Sequence, residues 1–179
     1  MKKLLLAVLA VSVAMISPVA TSAWDPDEEA EKHKEAQEAL AAFLESDPDA
    51  KRFVDKSAGY VVIPTVGKAA IGIGGARGTG LLYEGGVVTA KVTLTQVSFG
   101  FQGGGQAYSE FIFFEDAGTL SNFKKGNFEL NAQASAVAIT AGASADAAFE
   151  DGMAIFTQEK GGLMYEAAVG GQKFKVELK

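Results

Sequence analysis

LTQVSFGFQGGGQAYSEFIFF, residues Leu94 to Phe114, decides how the rest of this chain is read. Apolar side chains alternate with glutamine, serine and glycine at a period of two, the pattern of a half-buried strand. Four glycines, three glutamines and the run Tyr108-Ser109-Glu110 interrupt its aromatics. A β-rich core crossed by a polar seam accounts for both features. Upstream, Val88, Ala90, Val92 and Leu94 share one strand face, with Thr89, Lys91, Thr93 and Thr95 opposite. Val97, Phe99 and Phe101 then take over the apolar positions, one residue out of phase. Such a slip turns the wrong face inward unless a bulge absorbs it, so a β-bulge is expected at Thr95-Gln96.

Before this stretch the chain changes texture once. Residues 24–58 read as helix. Asp25 is a good N-cap, Pro26 suits the first helical position, and Ala36, Leu40, Phe43 and Leu44 form an apolar stripe. Glu28 to Glu35 is almost wholly charged and reads as solvated or frayed. Asp47-Pro48 starts a second helix, with Phe53 and Val54 as its buried pair and Gly59 closing it. From Tyr60 the pattern is strand and glycine. Tyr60–Ile63 ends at Pro64, and Glu84-Gly85-Gly86 forms a hairpin turn.

Downstream, Ala117 to Phe123 reads as a brief helix or turn, ended by Lys124-Lys125-Gly126. Leu130, Ala132, Ala134 and Ala136 alternate with Asn131, Gln133 and Ser135. Alanine favours helices, but a strict period of two favours strand. Three more strands are expected between Met153 and Lys179.

The first 23 residues have the form of a secretory leader: Lys2 and Lys3, an uncharged run from Leu4 to Ile16, Pro18, then small residues for cleavage after Ala23. The apolar run is too short for a good membrane span, which needs about 20 residues. The expected mature chain, 24–179, is one domain with a helical part (24–58) and a β-rich part (59–179). It is expected to be periplasmic or secreted. There is no cysteine, which excludes disulfides and a cysteine-linked lipid anchor. Of 16 Lys and Arg, Lys2 and Lys3 lie in the leader, leaving 14 against 22 acidic residues, a net charge of −8. That balance disfavours nucleic acid and weakens attraction to anionic membranes.

Catalytic and cofactor chemistry finds little support. Gly72-Ile73-Gly74-Gly75-Ala76-Arg77-Gly78 has Arg77 where a dinucleotide fingerprint needs glycine, and a strand rather than a helix follows. His33 is the single histidine and lies in the charged half of the first helix, so neither a nucleophile–base set nor a metal site is expected. Tyr108, Ser109, Glu110, Glu115 and Asp116 hold acid–base groups, but strand alternation separates Ser109 from Tyr108 and Glu110. A structural polar seam of Gln96, Gln102, Gln106, Tyr108, Ser109 and Glu110 is expected instead, with buried Glu110 bonded to one of the three glutamines. Lys51, Arg52 and Lys56 flank Phe53 on one short helix, and Lys68 and Arg77 flank the Gly-rich run. These six are the candidate lipid-binding residues: cations for phosphate and an aromatic for the interface.

Four segments carry a family resemblance: IGIGGARGTGLLY (Ile71 to Tyr83), the opening stretch, GNFELNAQASAVA (Gly126 to Ala138) and GGLMYEAAVGGQKF (Gly161 to Phe174). With the preceding helix they span roughly residues 35 to 179, and together they resemble the SYLF domain, a lipid-binding module. The resemblance implies a compact β-rich domain with helices at its N-terminal side. It also implies binding of membrane lipids, chiefly phosphoinositides in eukaryotic members, and of actin in the yeast branch. The basic cluster of the eukaryotic members has no counterpart here, and export removes actin and phosphoinositides as ligands.

The expected fold is therefore α+β: two short N-terminal helices packed on a bent, Gly-rich, mostly antiparallel β-sheet or partly closed barrel. The expected function is non-catalytic, without cofactor or metal. It is the binding of phospholipid or a membrane surface in the cell envelope. The alternative is an envelope interaction or structural protein that holds a protein partner through the same sheet.

Overall fold

A computed structural model describes residues 25–71, 73–99, 106–160 and 167–179. The expected leader, residues 1–23, lies outside them. Helix α1 (Pro26–Ser46) starts where the sequence indicates, Asp25 accepting a hydrogen bond from the Asp27 N–H. A single 3-10 turn (Pro48–Ala50) leads into α2 (Lys51–Lys56). Strand β1 (Gly59–Ile71) follows, then β2 (Ile73–Glu84), β3 (Val87–Phe99), β4 (Gln106–Phe114), α3 (Ala117–Lys124), β5 (Phe128–Glu129), β6 (Ser135–Ala138), β7 (Met153–Glu159), β8 (Ala167–Ala168) and β9 (Lys173–Leu178). Among the described residues the sheet order is β5-β9-β3-β2-β1-β4-β7-β6-β8. Each pairing is antiparallel except β6 with β7. The composition is α+β, and the sheet curls into a half-barrel.

The curl follows from what the sheet must bury. Val61, Val62, Ile63, Leu81, Leu82, Phe111, Ile112 and Phe113 are consecutive apolar residues, so β1, β2 and β4 need cover on both faces. On the inner face, Val61, Leu82, Leu94 and Ile112 meet Leu120 and Phe123 of α3, and also Phe174 and Ala136 from strands near opposite ends of the sheet. On the outer face, Val62, Leu81, Phe111 and Phe156 pack against Ala36, Leu40, Phe43 and Phe53. The charged start of α1 is not frayed: Glu28 pairs with Lys91 at 2.9 Å, and the His33 ring meets the Tyr83 hydroxyl at 3.1 Å.

Several local expectations are corrected. No bulge occurs at Thr95-Gln96, because β3 pairs β2 in unbroken register from Ala90↔Leu82 to Phe99↔Ile73. Gln96 takes a buried position there, and its side-chain amide donates to the Gly170 carbonyl at 3.1 Å, while Val97 is left 68% exposed. The register shift sits at Thr89 instead, moving Val88 to the outer core. β1 does not end at Pro64. It continues through a bulge in which Ile63, Pro64 and Thr65 oppose two residues of β2. Gly59 is no helix cap: α2 closes at Ser57, and Gly59 opens β1. The alternating segment from Leu130 is not one strand, since β6 covers only Ser135–Ala138 and turns follow.

The Pro64 bulge explains two glycines. A Cβ on Gly78 would lie 2.7 Å from the Ile63 side chain, and one on Gly80 would overlap the Val62 carbonyl oxygen and sit 2.7 Å from the Ile63 Cα. Gly80→Ala therefore has to push β1 away, and a loss of about 2–4 kcal/mol in urea unfolding is expected. Gly67→Ala, where a Cβ meets nothing within 4 Å, is expected to stay within about 0.5 kcal/mol of the parent.

Candidate functional site

The polar seam lies on the inner face. Tyr108 and Glu110 point there from β4, both buried, and Ser109 points outward, as alternation requires. The outward Ser109 hydroxyl donates to the Pro64 carbonyl at 2.8 Å, filling the β1 bulge. Glu110 receives its hydrogen bond from Gln172, whose Nε2 lies 2.9 Å from the carboxylate and 3.3 Å from the Tyr108 hydroxyl. Gln172 was not among the expected partners. A lone glutamine after Gly170-Gly171 was its only signal, and β4 and β9 meet only through the curl. Gln102 lies outside the described residues. Gln106 is described by its backbone alone, opposite Lys68 at the start of β4.

Burial pushes the Glu110 carboxyl up to about 7, against the lowering effect of Gln172, Lys68 and Tyr108. Burial and the neighbouring Glu110 charge also push the Tyr108 hydroxyl up. Among the described residues, the second oxygen of Glu110 and the Gln172 side-chain oxygen have no donor, and Thr157, opposite Glu110 on β7, buries its hydroxyl without a partner. Protonating Glu110 adds one donor to this acceptor-rich group.

The six candidate lipid contacts do not form one patch. Phe53 is a core residue, its ring centroid 4.9 Å from Phe156 and 5.3 Å from Phe149. Moving it to a membrane gives up burial of roughly 1.5–3 kcal/mol to regain a similar amount, so insertion has no net drive. Arg52 donates to the carbonyls of Ser144, Ala145 and Ala147 at 2.7, 3.1 and 2.6 Å. Lys51 pairs with Asp55 on the exposed side of α2, and Lys56 is exposed in its last turn. Lys68 lies 5.7 Å from the centre of the Tyr108 ring, and Arg77 is exposed, paired in register with Gly67 and Thr95.

Another acid–base candidate serves structure. Asp116 caps α3 through Thr119 and Gly118, and those bonds hold its carboxyl below the ordinary range. Among the described residues no group of three or more His, Cys, Asp or Glu could hold a metal ion. No described helix is long and apolar enough to cross a membrane.

A recess lies beside β7, a cavity of about 810 Å³ between α3, β6, β7 and the segment 128–151. Phe128, Leu130, Val137, Met153, Ile155 and Phe156 supply apolar surface. Asn122, Asn131, Gln133, Glu129, Asp146, Glu150 and Asp151 supply the polar part, and no Lys or Arg lines it among the described residues. Reading 130–136 as one strand hid this cavity. The Asp151-Gly152 pair, a hairpin signature with φ of 50° and 76°, marked the turn that ends the cavity-lining segment at β7.

Glu110 has a folded-state value above its ordinary one, so folding takes up a proton between those values and stability falls as pH rises through about 7. Thermal melts of Glu110→Gln are expected to lack this fall between about pH 5 and pH 8, and the variant is expected to exceed the parent by roughly 1–3 kcal/mol at the upper end.

No protein-family model matches this chain, and no curated protein is significantly similar to it, so the SYLF reading rests on the quoted motifs alone.

Proposed function

We propose that the protein is an exported, non-catalytic binding domain that takes a single-chain, lipid-like amphiphile into the cavity beside β7. The observation that carries this reading is the cavity: about 810 Å³ with apolar and polar lining residues together, within the roughly 300–1,000 Å³ of small-molecule sites. Export rests on the leader pattern of residues 1–23. The SYLF-like motifs favour a lipid over other apolar ligands.

The lining also selects a headgroup. Asp146, Glu150 and Asp151 contribute carboxylates without an opposing cation in the lining, while Glu129 pairs with Lys173 at 3.5 Å. A zwitterionic or amine-bearing headgroup meets complementary charge, whereas an anionic one is repelled. Surface binding through α2 has less support, because Phe53 and Arg52 are engaged in the fold. A protein partner in the envelope has three exposed apolar residues in its favour, Val87 and Val97 on β3 and Leu178 on β9. Exposed apolar residues of this kind are ordinary on a protein surface, which keeps that reading second.

Displacement of bound N-phenylnaphthylamine fluorescence by lysophosphatidylethanolamine, lysophosphatidylglycerol and a fatty acid tests the reading. Saturable binding is expected, tightest for lysophosphatidylethanolamine. Ala134→Leu combined with Ala143→Leu, which fills the cavity, is expected to weaken it by about tenfold or more without lowering the melting temperature. Equal binding by the filled variant places the ligand elsewhere.

A further inference from the structure

The segment from Thr140 to Ala148, TAGASADAA, forms one wall of that cavity through Ala143, Asp146, Ala147 and Ala148. It holds no side chain larger than aspartate. Such a wall gains little from burying its own side chains, so packing alone does not fix it against the entropy of an open loop. Its ends are anchored: the Ile139 N–H donates to the Thr157 carbonyl at 2.8 Å, and Phe149 packs on Phe53.

Between those anchors, two side chains from the corner of α1 and α2 reach the backbone of the wall. One Arg52 nitrogen donates to the carbonyls of Ser144, Ala145 and Ala147. Asp47, fully buried, accepts from the Ser144 N–H at 2.7 Å. A charged group on each side of Ser144 thus holds donors and acceptors of one turn at once, and charge-assisted bonds of this kind are the stronger class. Burial pushes the Asp47 carboxyl up, but bonds from Ser144, Asp49 and Gly142 outweigh it, so the group stays ionised and the latch stays charged.

We propose that Arg52, aided by Asp47, is a positioning residue that latches this wall in place, and that a bound ligand is held against the wall until the latch releases. This inference rests on the cavity being the ligand site. It gives Arg52, a residue whose charge suggests a lipid headgroup contact, a role without any contact to ligand.

Stopped-flow release of N-phenylnaphthylamine is measured for the parent, Arg52→Lys and Arg52→Ala, together with amide hydrogen exchange. Release from Arg52→Ala is expected to be about tenfold faster, with exchange quickened in Ala143–Ala148 and unchanged in β1 and β4. Arg52→Lys keeps the charge but not the planar fork and is expected to fall between the two; if Arg52→Ala does not fold, Arg52→Lys decides. Parent-like release from a folded variant overturns the latch while leaving the cavity reading intact. Faster exchange across the whole sheet also overturns it, since Arg52 then supports the fold at large. A parent that binds no probe overturns the cavity reading, and the latch with it.

Discussion

The curled sheet is apolar on both faces along its central strands, and every other feature answers to that. Val61-Val62-Ile63 on β1, Leu81-Leu82-Tyr83 on β2 and Phe111-Ile112-Phe113 on β4 are all buried. Burying each such side chain contributes roughly 1.5–3 kcal/mol, so leaving either face uncovered is not an option for this fold. Helices α1 and α2 cover the outside. Inside, among the described residues, α3 is the covering helix, and the sheet curls over it and the first part of the following segment. The curl brings β9 to β4, and only then can Gln172 bond to Glu110.

The same constraint explains why polar chemistry is confined to the places it occupies. A buried carboxyl in an inner core has to be neutralised or bonded, and Glu110 is met by both means, with one amide donor and a raised proton affinity. Beside β7 the wall is made by the alanines of 140–148, with Ala147 packed on the outer cluster, and the cavity opens there. The small residues make the space, and the polar ties of Asp47 and Arg52 keep its wall in place. Packing fills the space in one part of the molecule and leaves a cavity in the other.

Much of the fold is legible in the sequence. The helix start at Asp25, the Gly85-Gly86 hairpin, the stop at Gly126 and the three late strands follow from local chemistry that acts within a few residues. The opposite facing of Ser109 and of Tyr108 with Glu110 follows from strand alternation. What is not legible depends on distant partners. Pro64 reads as a strand end, yet Ser109 and two glycines of β2 accommodate it as a bulge. Val97 reads as core, yet that end of β3 leaves it outside and admits Gln96. Arg52 reads as a surface cation, and its three carbonyl partners lie 92 to 95 residues away. Local pattern cannot register contacts of that range.

Mapping methyl and amide chemical shifts during titration with lysophosphatidylethanolamine tests the account most directly. Saturable changes centred on Leu130, Val137, Met153 and Ile155, with little change at Lys51, Lys56 and Arg77, are the result this account predicts. Absence of saturable change, or changes confined to α2 and the Arg77–Val97 region of the sheet, would contradict it.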